Sequence, residues 1–513
     1  MEATEALGRS GLSTYLAALQ AAVRARSRAF WIVTGVTLVA AGLRFATLGV
    51  QAYHHDEIVT ASRILRDGFW HAMDAVGFSE SAPPLYYVLA WLWTQLTGTG
   101  EFGLRSFSAL AGVATVPVAY LLGQELRGRR AGITAAILVA VNPMLLWYSQ
   151  EARGYALLVL LTVAAALYFV RALDRGGRRN FTGWGIASAL ALATHYFAIF
   201  PIALEAVWLL RRRGRDALVG LRFVVLAGLL LAPLAIHQMS QGHAEWIGAH
   251  SLGHRLWDAG VTFVTGETGE IIAQPEFVLP AVIPLLAIAM ALVLLGARGE
   301  GDERRAAGRM LAIAAATIAI PLSLALLVPG KDYVLARNLL PALVPILVAV
   351  AVATTLRGAR RRGLALATAL AAYSAGFCIV TSLSPALQRP DWRAVAGRLG
   401  EPAAPRAIVT WTLGEASLRH YLSTGSFQVL PTNGFDWFVH EIDFVSSGPA
   451  GLVSPRLLGP RFRQVGYEQV GDFYIRRYAL PGPDLTPLRL KAVRGAQLNF
   501  RSNGVLVDGV GPS

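Results

Sequence analysis

The sequence predicts a mainly helical membrane protein: a polytopic bundle of about 11 transmembrane helices, then a small C-terminal α/β domain outside the cytoplasm. Three observations carry this. Of 513 residues, 54% are hydrophobic and only 15% charged, with a mean hydropathy of +0.48. A soluble globular chain carries roughly 25% charged residues, so too little charge is left to cover a water-facing surface. Apolar runs long enough to cross about 30 Å of hydrocarbon recur as far as residue 383. Beyond residue 385 the apolar runs shorten and alternate with Gly and Pro.

A span takes roughly 17–25 apolar residues. Such runs lie near 30–50, 106–125, 131–148, 154–173, 217–237, 277–296, 310–328, 336–356 and 363–383. The run 182–210 is too long for one span and has His195 and Tyr196 at its middle, so it reads as two short helices meeting at a polar turn. The start of the chain does not read as a cleavable signal. About thirty residues, including Arg24, Arg26 and Arg28, precede the first run, and no A-x-A site follows it.

Arginine sets the orientation. Clusters at Arg127/Arg129/Arg130, Arg171/Arg175/Arg178/Arg179, Arg211/Arg212/Arg213/Arg215, Arg298/Arg304/Arg305 and Arg357/Arg360/Arg361/Arg362 each follow a span. The positive-inside rule places all five in the cytoplasm with the basic N-terminus. The spans then alternate only if 84–98 does not cross. That segment reads as an interfacial helix, with Tyr86, Tyr87, Trp91 and Trp93 as amphipathic anchors. The chain divides into a membrane domain, 1–384, with outer loops at 51–105 and 238–276, and an extracytoplasmic domain, 385–513. In the latter, 391–399 and 415–422 have helical spacing, and 406–411, 427–430 and 473–480 read as strands.

Composition also excludes some functions. The net charge of +14 lies in short clusters between apolar runs, as membrane orientation requires, and not in a nucleic-acid-binding patch. The single cysteine, Cys378, rules out a disulfide framework and a cysteine-ligated metal site.

The densest polar cluster follows the first span: Tyr53-His54-His55-Asp56-Glu57. Adjacent acids can be solvated loop charges, but these lie at a helix end among aromatics. A further acid, Glu80, precedes Pro83-Pro84-Leu85-Tyr86-Tyr87 in the same loop. Arg105, Arg153, Lys331 and Arg337 sit where spans meet the outer surface, away from the cytoplasmic clusters. Carboxylates and guanidiniums at one interface suit a phosphate-bearing lipid and a hydroxyl acceptor. Any one of these cations alone could equally be a snorkelling side chain. His195 could be a satisfied turn residue or a substrate contact.

The ordered set of segments resembles one family. His-His-Asp-Glu follows the first span; Ala-Pro-Pro-Leu-Tyr-Tyr and Phe-Gly-Leu-Arg105-Ser-Phe-Ser-Ala-Leu-Ala-Gly come next, then Tyr148-Ser-Gln-Glu-Ala-Arg153-Gly-Tyr155. These are similar to the glycosyltransferase family 39/83 enzymes of the GT-C superfamily, the protein O-mannosyltransferases and aminoarabinose–lipid A transferases. The likeness covers about residues 30–200 and continues more loosely through Arg337-Asn-Leu-Leu-Pro341 and Gln388-Arg-Pro-Asp391-Trp392. The resemblance implies a GT-C bundle in the bacterial cytoplasmic membrane that moves a sugar from a polyprenyl-phosphate donor to a lipid, glycan or protein hydroxyl at the outer face. It implies that Asp56 is the catalytic base with Glu57 beside it, and that Arg105 lies near the active site and Arg337 faces the carrier phosphate. Arg153, Lys331, His195 and Tyr86 join them as substrate-binding candidates.

The residue inventory suits that chemistry. Phosphate is already a stable leaving anion, so one carboxylate to take the acceptor proton and cations to meet the departing charge suffice. A direct single displacement inverts the anomeric carbon. His54, His55 and His195 invite a metal reading, with His55 and Glu80 as candidate ligands for a divalent cation, although the i, i+4 histidine spacing of a helical zinc site is absent. A transporter or flippase of a lipid-linked substrate is the alternative; it predicts repeated halves and mid-membrane charges, and neither is evident. A membrane-anchored scaffold would need far fewer spans.

Overall fold

The structure, a computed structural model, describes residues 28–65, 68–242, 247–248, 250–267, 278–422, 428–429, 437–447, 461–488 and 503–508. Up to the last membrane helix the order is α1 (Arg28–Phe45), α2 (His55–Ile58, continued by a π-helical turn over Val59–Ile64), α3 (Phe69–Ser79), α4 (Leu85–Thr97) and α5 (Glu101–Arg127). Then come α6 (Arg129–Val141), α7 (Pro143–Ser149), α8 (Tyr155–Arg175), α9 (Arg178–Thr194), α10 (Ile199–Arg213) and α11 (Leu218–Ser240). The set closes with α12 (Leu252–Thr265), α13 (Val278–Arg298), α14 (Gly301–Leu327), α15 (Leu343–Thr354) and α16 (Arg360–Leu383). The chain forms two compact units: 1–48, 73–96 and 103–380 in one, and 49–72, 97–102 and 381–513 in the other.

Among the described residues, eight helical stretches are long and apolar enough to cross a membrane, or nine if the bent pair α6–α7 is one span. Each of the expected runs coincides with a helix. The count falls below eleven because α9 has only 17 residues and α10 only 15, and because α10 and α11 merge into one stretch, Tyr196–Ser240. The run 182–210 breaks at His195, whose backbone is extended (φ −157°). Helix α4 has 13 residues, so it is about 20 Å long and too short to span. Two of its four expected anchors are corrected, because Tyr86 and Tyr87 are buried, whereas Trp91 and Trp93 are half-buried. The Tyr86 ring packs on Phe107, its hydroxyl lies 3.3 Å from Ser108 Oγ, and Trp93 Nε1 donates to Ser106 Oγ at 2.8 Å. This face of α4 is packed on α5 and is not a lipid anchor.

Helix α15 is apolar all round and is buried at every residue but Ile346, as a central helix of a bundle must be. Helices α9 and α11 meet through glycines: a Cβ on Gly185 would stand 2.3 Å from the Gly220 carbonyl oxygen. All five arginine clusters meet at one end of this unit. Arg127 pairs with Asp302 (2.6 Å) and Glu303 (2.9 Å), Arg171 and Arg175 pair with Glu125, and Arg309 pairs with Asp174 (2.8 Å). Arg213 donates to the Leu173 carbonyl (3.0 Å), and Arg357 pairs with Glu300 (3.2 Å).

At the α6–α7 break, bent by 59°, Asn142 caps α7 by accepting from Leu145 N–H (3.0 Å). Pro143 brings no N–H to the Val139 carbonyl one turn back. The buried Arg44 guanidinium fills the gap, donating to the carbonyls of Val139 (3.4 Å) and Ala140 (2.9 Å) and to Ser149 Oγ (3.1 Å). A cation at a helix C-terminus also meets the negative end of the helix dipole.

The other unit contains α17 (Trp392–Leu399), β1 (Arg406–Trp411), α18 (Thr412–Tyr421), β2 (Gln428–Val429), β3 (Trp437–Val439), β4 (Glu441–Ser447), β5 (Arg463–Val470), β6 (Phe473–Ala479), β7 (Thr486–Leu488) and β8 (Asn503–Asp508). Its main sheet runs β2-β8-β1-β4-β6-β5, with β1 parallel to β4 and the other pairs antiparallel; β3 and β7 form a separate ribbon. The expected strands at 406–411 and 473–480 are present. Of the strand expected over 427–430, residues 427 and 430 lie outside the described residues and 428–429 are β2. Alternate residues of central β1 serve two cores: Ala407 and Val409 pack with Ile442, Phe444 and Tyr478, and Ile408 packs with Val445, Ile475 and the α17 residues Trp392 and Val395. Arg406 closes α17 by donating to the carbonyls of Leu399 and Gly400, both at 2.7 Å, and faces the buried Asp443 at 3.4 Å.

Candidate active site

The acidic segment after α1 folds as a helix start. His54 is the N-cap, and Asp56 and Glu57 lie in the first turn of α2, where the helix dipole favours negative charge. Glu57 turns back, and its carboxylate accepts from the His54 N–H at 2.9 Å. It is fully buried, with Arg389 Nε 3.8 Å away. Asp56 differs: its side chain is 25% exposed and its Oδ1 lies 3.3 Å from His55 Nε2. Of the adjacent acids, one closes the helix and the other faces outward. The π-helical turn that follows is a backbone irregularity often found at functional sites.

His54, His55 and Asp56 each offer a ligand atom, all within 4.8 Å of one another. The rings of His54 and His55 lie 3.7 Å apart. Burial, then His55 and Arg389, push the His54 imidazole down to about 3 against the opposing pull of Asp56. It is therefore neutral, the form that binds metal. Two imidazole nitrogens and a carboxylate oxygen suit a borderline divalent cation. His54 and His55, both part of the metal expectation, thus lie together with Asp56. Glu80 instead receives both prongs of the Arg153 guanidinium, at 3.0 and 2.7 Å.

That Glu80–Arg153 pair belongs to the membrane unit, where several other expected residues gather. His195 is buried at the α9 break, and burial followed by the Arg153 and Arg337 cations lowers its pKa to about 3. Its ring lies 5.6 Å from Tyr155 and 5.0 Å from Phe197. Tyr155 packs against Tyr148 at 4.7 Å, and the Tyr148 hydroxyl donates to Glu267 at 2.5 Å. Gly266, at φ +75°, makes the turn that delivers Glu267; a Cβ there would stand 3.1 Å from the Pro143 carbonyl oxygen. Thus residues as distant in sequence as Glu80, Arg153, His195, Glu267 and Arg337 form one polar, aromatic-walled cluster.

The remaining candidates fall elsewhere. Arg105 is buried and donates to the Leu48 carbonyl at 3.1 Å, which ties α5 to the turn after α1. Tyr86 is buried, its hydroxyl beside Ser108 Oγ. Lys331 lies in the turn after α14, beside Asp332, which receives the Arg255 fork at 2.7 and 2.6 Å. Sequence reasoning missed Tyr148, Glu267 and Arg255. Tyr148 was visible inside a matched segment, whereas Glu267 carried no local signal beyond the preceding glycine.

Residues 81–238 match the family described as dolichyl-phosphate-mannose-protein mannosyltransferase. Among solved structures the chain is similar to ArnT from Cupriavidus metallidurans in the apo state, with a TM-score of 0.52 and 15% identity over 88% of this chain and 98% of that one. Against the same protein bound to undecaprenyl phosphate the TM-score is 0.52, at 14% identity over 87% and 97%. The archaeal oligosaccharyltransferase AglB from Archaeoglobus fulgidus, in complex with an inhibitory peptide and a dolichol-phosphate, gives 0.42 at 14% identity over 78% and 60%. No curated protein matches the sequence. The chain has the fold of ArnT, as the sequence resemblance implied.

Proposed function

We propose that this protein is a membrane glycosyltransferase that moves a sugar from a polyprenyl-phosphate carrier to an acceptor hydroxyl at the outer face of the bacterial cytoplasmic membrane. The observation that carries the reading is the contrast within the acidic pair: Asp56 is open where Glu57 is fixed. The matched family and an ArnT structure holding undecaprenyl phosphate support the same donor chemistry.

The reaction is a single displacement. The acceptor oxygen forms a bond to the anomeric carbon while the bond from that carbon to the phosphate oxygen breaks. Asp56 takes the acceptor's proton, and the carrier leaves as the polyprenyl phosphate anion with the sugar inverted. No second carboxylate is needed. Arg337 and Lys331 meet the leaving phosphate. Arg153, already held by Glu80, shapes the polar cluster around His195. A divalent cation held by His54, His55 and Asp56 would add positive charge for the same anion. The acceptor can be a lipid, a glycan or a protein.

Replacing Asp56 by Asn keeps the shape and removes the proton acceptor, so transfer from a labelled polyprenyl-phosphate sugar should fall by about 10²–10⁴-fold. Donor affinity should change much less. A solvated acid predicts near-normal turnover, and a metal ligand predicts recovery in excess divalent cation. Full activity of Asp56→Asn without added cation would remove the proposed base.

A further inference from the structure

The acidic segment is not held by its own loop alone. The backbone N–H of Tyr53 donates to the hydroxyl of Tyr421 at 2.7 Å, and that hydroxyl donates to Glu101 Oε1 at 2.9 Å. Arg393 Nη2 donates to the same Glu101 oxygen at 2.8 Å, and its guanidinium lies 5.9 Å from the Tyr421 ring centre. The Tyr53 hydroxyl donates to the Thr99 carbonyl at 2.7 Å, and its ring packs edge-on to His420 at 5.6 Å. Two residues earlier, Gln51 Oε1 accepts from the Arg389 N–H at 3.1 Å. So the chain just before Asp56 is gripped by residues 389–421.

Those residues are themselves anchored. Tyr421 ends α18, whose Leu418 is fully buried in the core shared with Ile408, Leu506 and Trp392. A Cβ on Gly414 of the same helix would stand 2.5 Å from Trp392, so α18 lies close against α17. Burial in the first place, with Glu101 beside it, keeps the Tyr421 hydroxyl protonated far above the physiological range. It can therefore always donate to Glu101 while accepting from Tyr53.

We propose that Tyr421, braced by Glu101 and Arg393, is a positioning residue that fixes the backbone of Tyr53–Glu57 and so the direction of the Asp56 carboxylate. The C-terminal sheet then serves as the footing of that brace. For catalysis this rests on the reading of Asp56 as the base. A polar group out of place by one hydrogen bond loses geometry rather than donor affinity, because the donor's phosphate is met by other residues.

The test uses full-length protein in detergent and the variants Tyr421→Phe and Glu101→Gln, with two readouts. Backbone hydrogen exchange over 50–58 should quicken about tenfold in Tyr421→Phe, because the Tyr53 N–H loses the hydroxyl that accepts from it. With a labelled polyprenyl-phosphate sugar, kcat should fall about five- to twentyfold while KM for the donor stays within about twofold. Glu101→Gln keeps an acceptor but loses the charge that holds Arg393, and should shift both readouts in the same direction by less. Unchanged exchange in Tyr421→Phe overturns the brace; faster exchange with normal kcat overturns its role in positioning. If Tyr421→Phe does not fold, the same two outcomes are read from Glu101→Gln. A wild-type protein that transfers no sugar from any such donor removes the enzymatic reading instead, and exchange alone then decides the brace.

Discussion

At the scale of residues, Asp56 and Glu57 share a motif, and their surroundings divide the labour. Glu57 closes the first turn of α2 and faces Arg389, whereas Asp56 retains access to solvent. The cations divide similarly. Arg153 is tied to a buried carboxylate, so Arg153→Ala leaves Glu80 uncompensated and should cost folded protein. Arg337→Ala should instead lower kcat/KM for the donor about 10- to 100-fold, the loss of one charge-assisted pair, with Lys restoring part of it. Donor titrations that leave Arg337→Ala unchanged would make it a snorkelling side chain. His54 adds a pH dependence. Its folded pKa, about 3, lies below the unfolded value of about 6.5, so its contribution is complete above 6.5 and is lost as pH falls toward 3. Between pH 7.5 and 5 that loss is about 1–2 kcal/mol. Apparent melting temperatures should fall less steeply over this interval in His54→Gln than in wild type; parallel slopes would refute the assignment.

At the scale of elements, helix packing inside the membrane unit depends on close approach. Lipid is as apolar as the helix faces, so small residues and dispersion hold helices together there. Gly185 of α9 and Gly220 of α11 leave no room for a methyl group: 2.3 Å from Cβ to a backbone oxygen cannot be relieved by rotating a side chain. Gly185→Leu should therefore separate the two helices and cost about 2–4 kcal/mol. Retention of monodisperse protein through size-exclusion chromatography at rising temperature measures it, and Gly228→Leu, where a Cβ meets nothing within 4 Å, is the matched control. The α6–α7 break follows the same economy of backbone groups. Proline removes a donor, and Arg44 supplies one from another helix.

At the scale of the whole molecule, the arginine clusters test the arrangement of spans. Five clusters separated by spans meet at one end of the membrane unit through carboxylates such as Glu125, Asp302 and Glu303. That gathering requires an even number of crossings between successive clusters, and the 13-residue α4 that precedes the first of them is too short to span. With the positive-inside rule, a reporter fused after residue 128 should be cytoplasmic and one after residue 101 exported. The reverse pair of results would mean that 84–98 crosses, and the outer-face assignment of the site would fall with it.

Sequence by itself determined the membrane bundle, its break at His195 and the acidic segment at the end of α1. Span length and hydrophobicity are local properties, legible in any window of about twenty residues. It also supplied the residue types of the site, because matched segments carry their chemistry with them. Tertiary structure alone decided which of them meet. Tyr53 finds Tyr421 across 368 positions, and Tyr148 finds Glu267 across 119. The aromatic face of α4 could not be assigned from its residues, because Tyr and Trp suit a lipid interface and a packed helix face equally well. Only the neighbouring α5 made it interior. Strands β4 and β8 escaped notice for a related reason: short apolar runs become central strands only when paired with partners far along the chain.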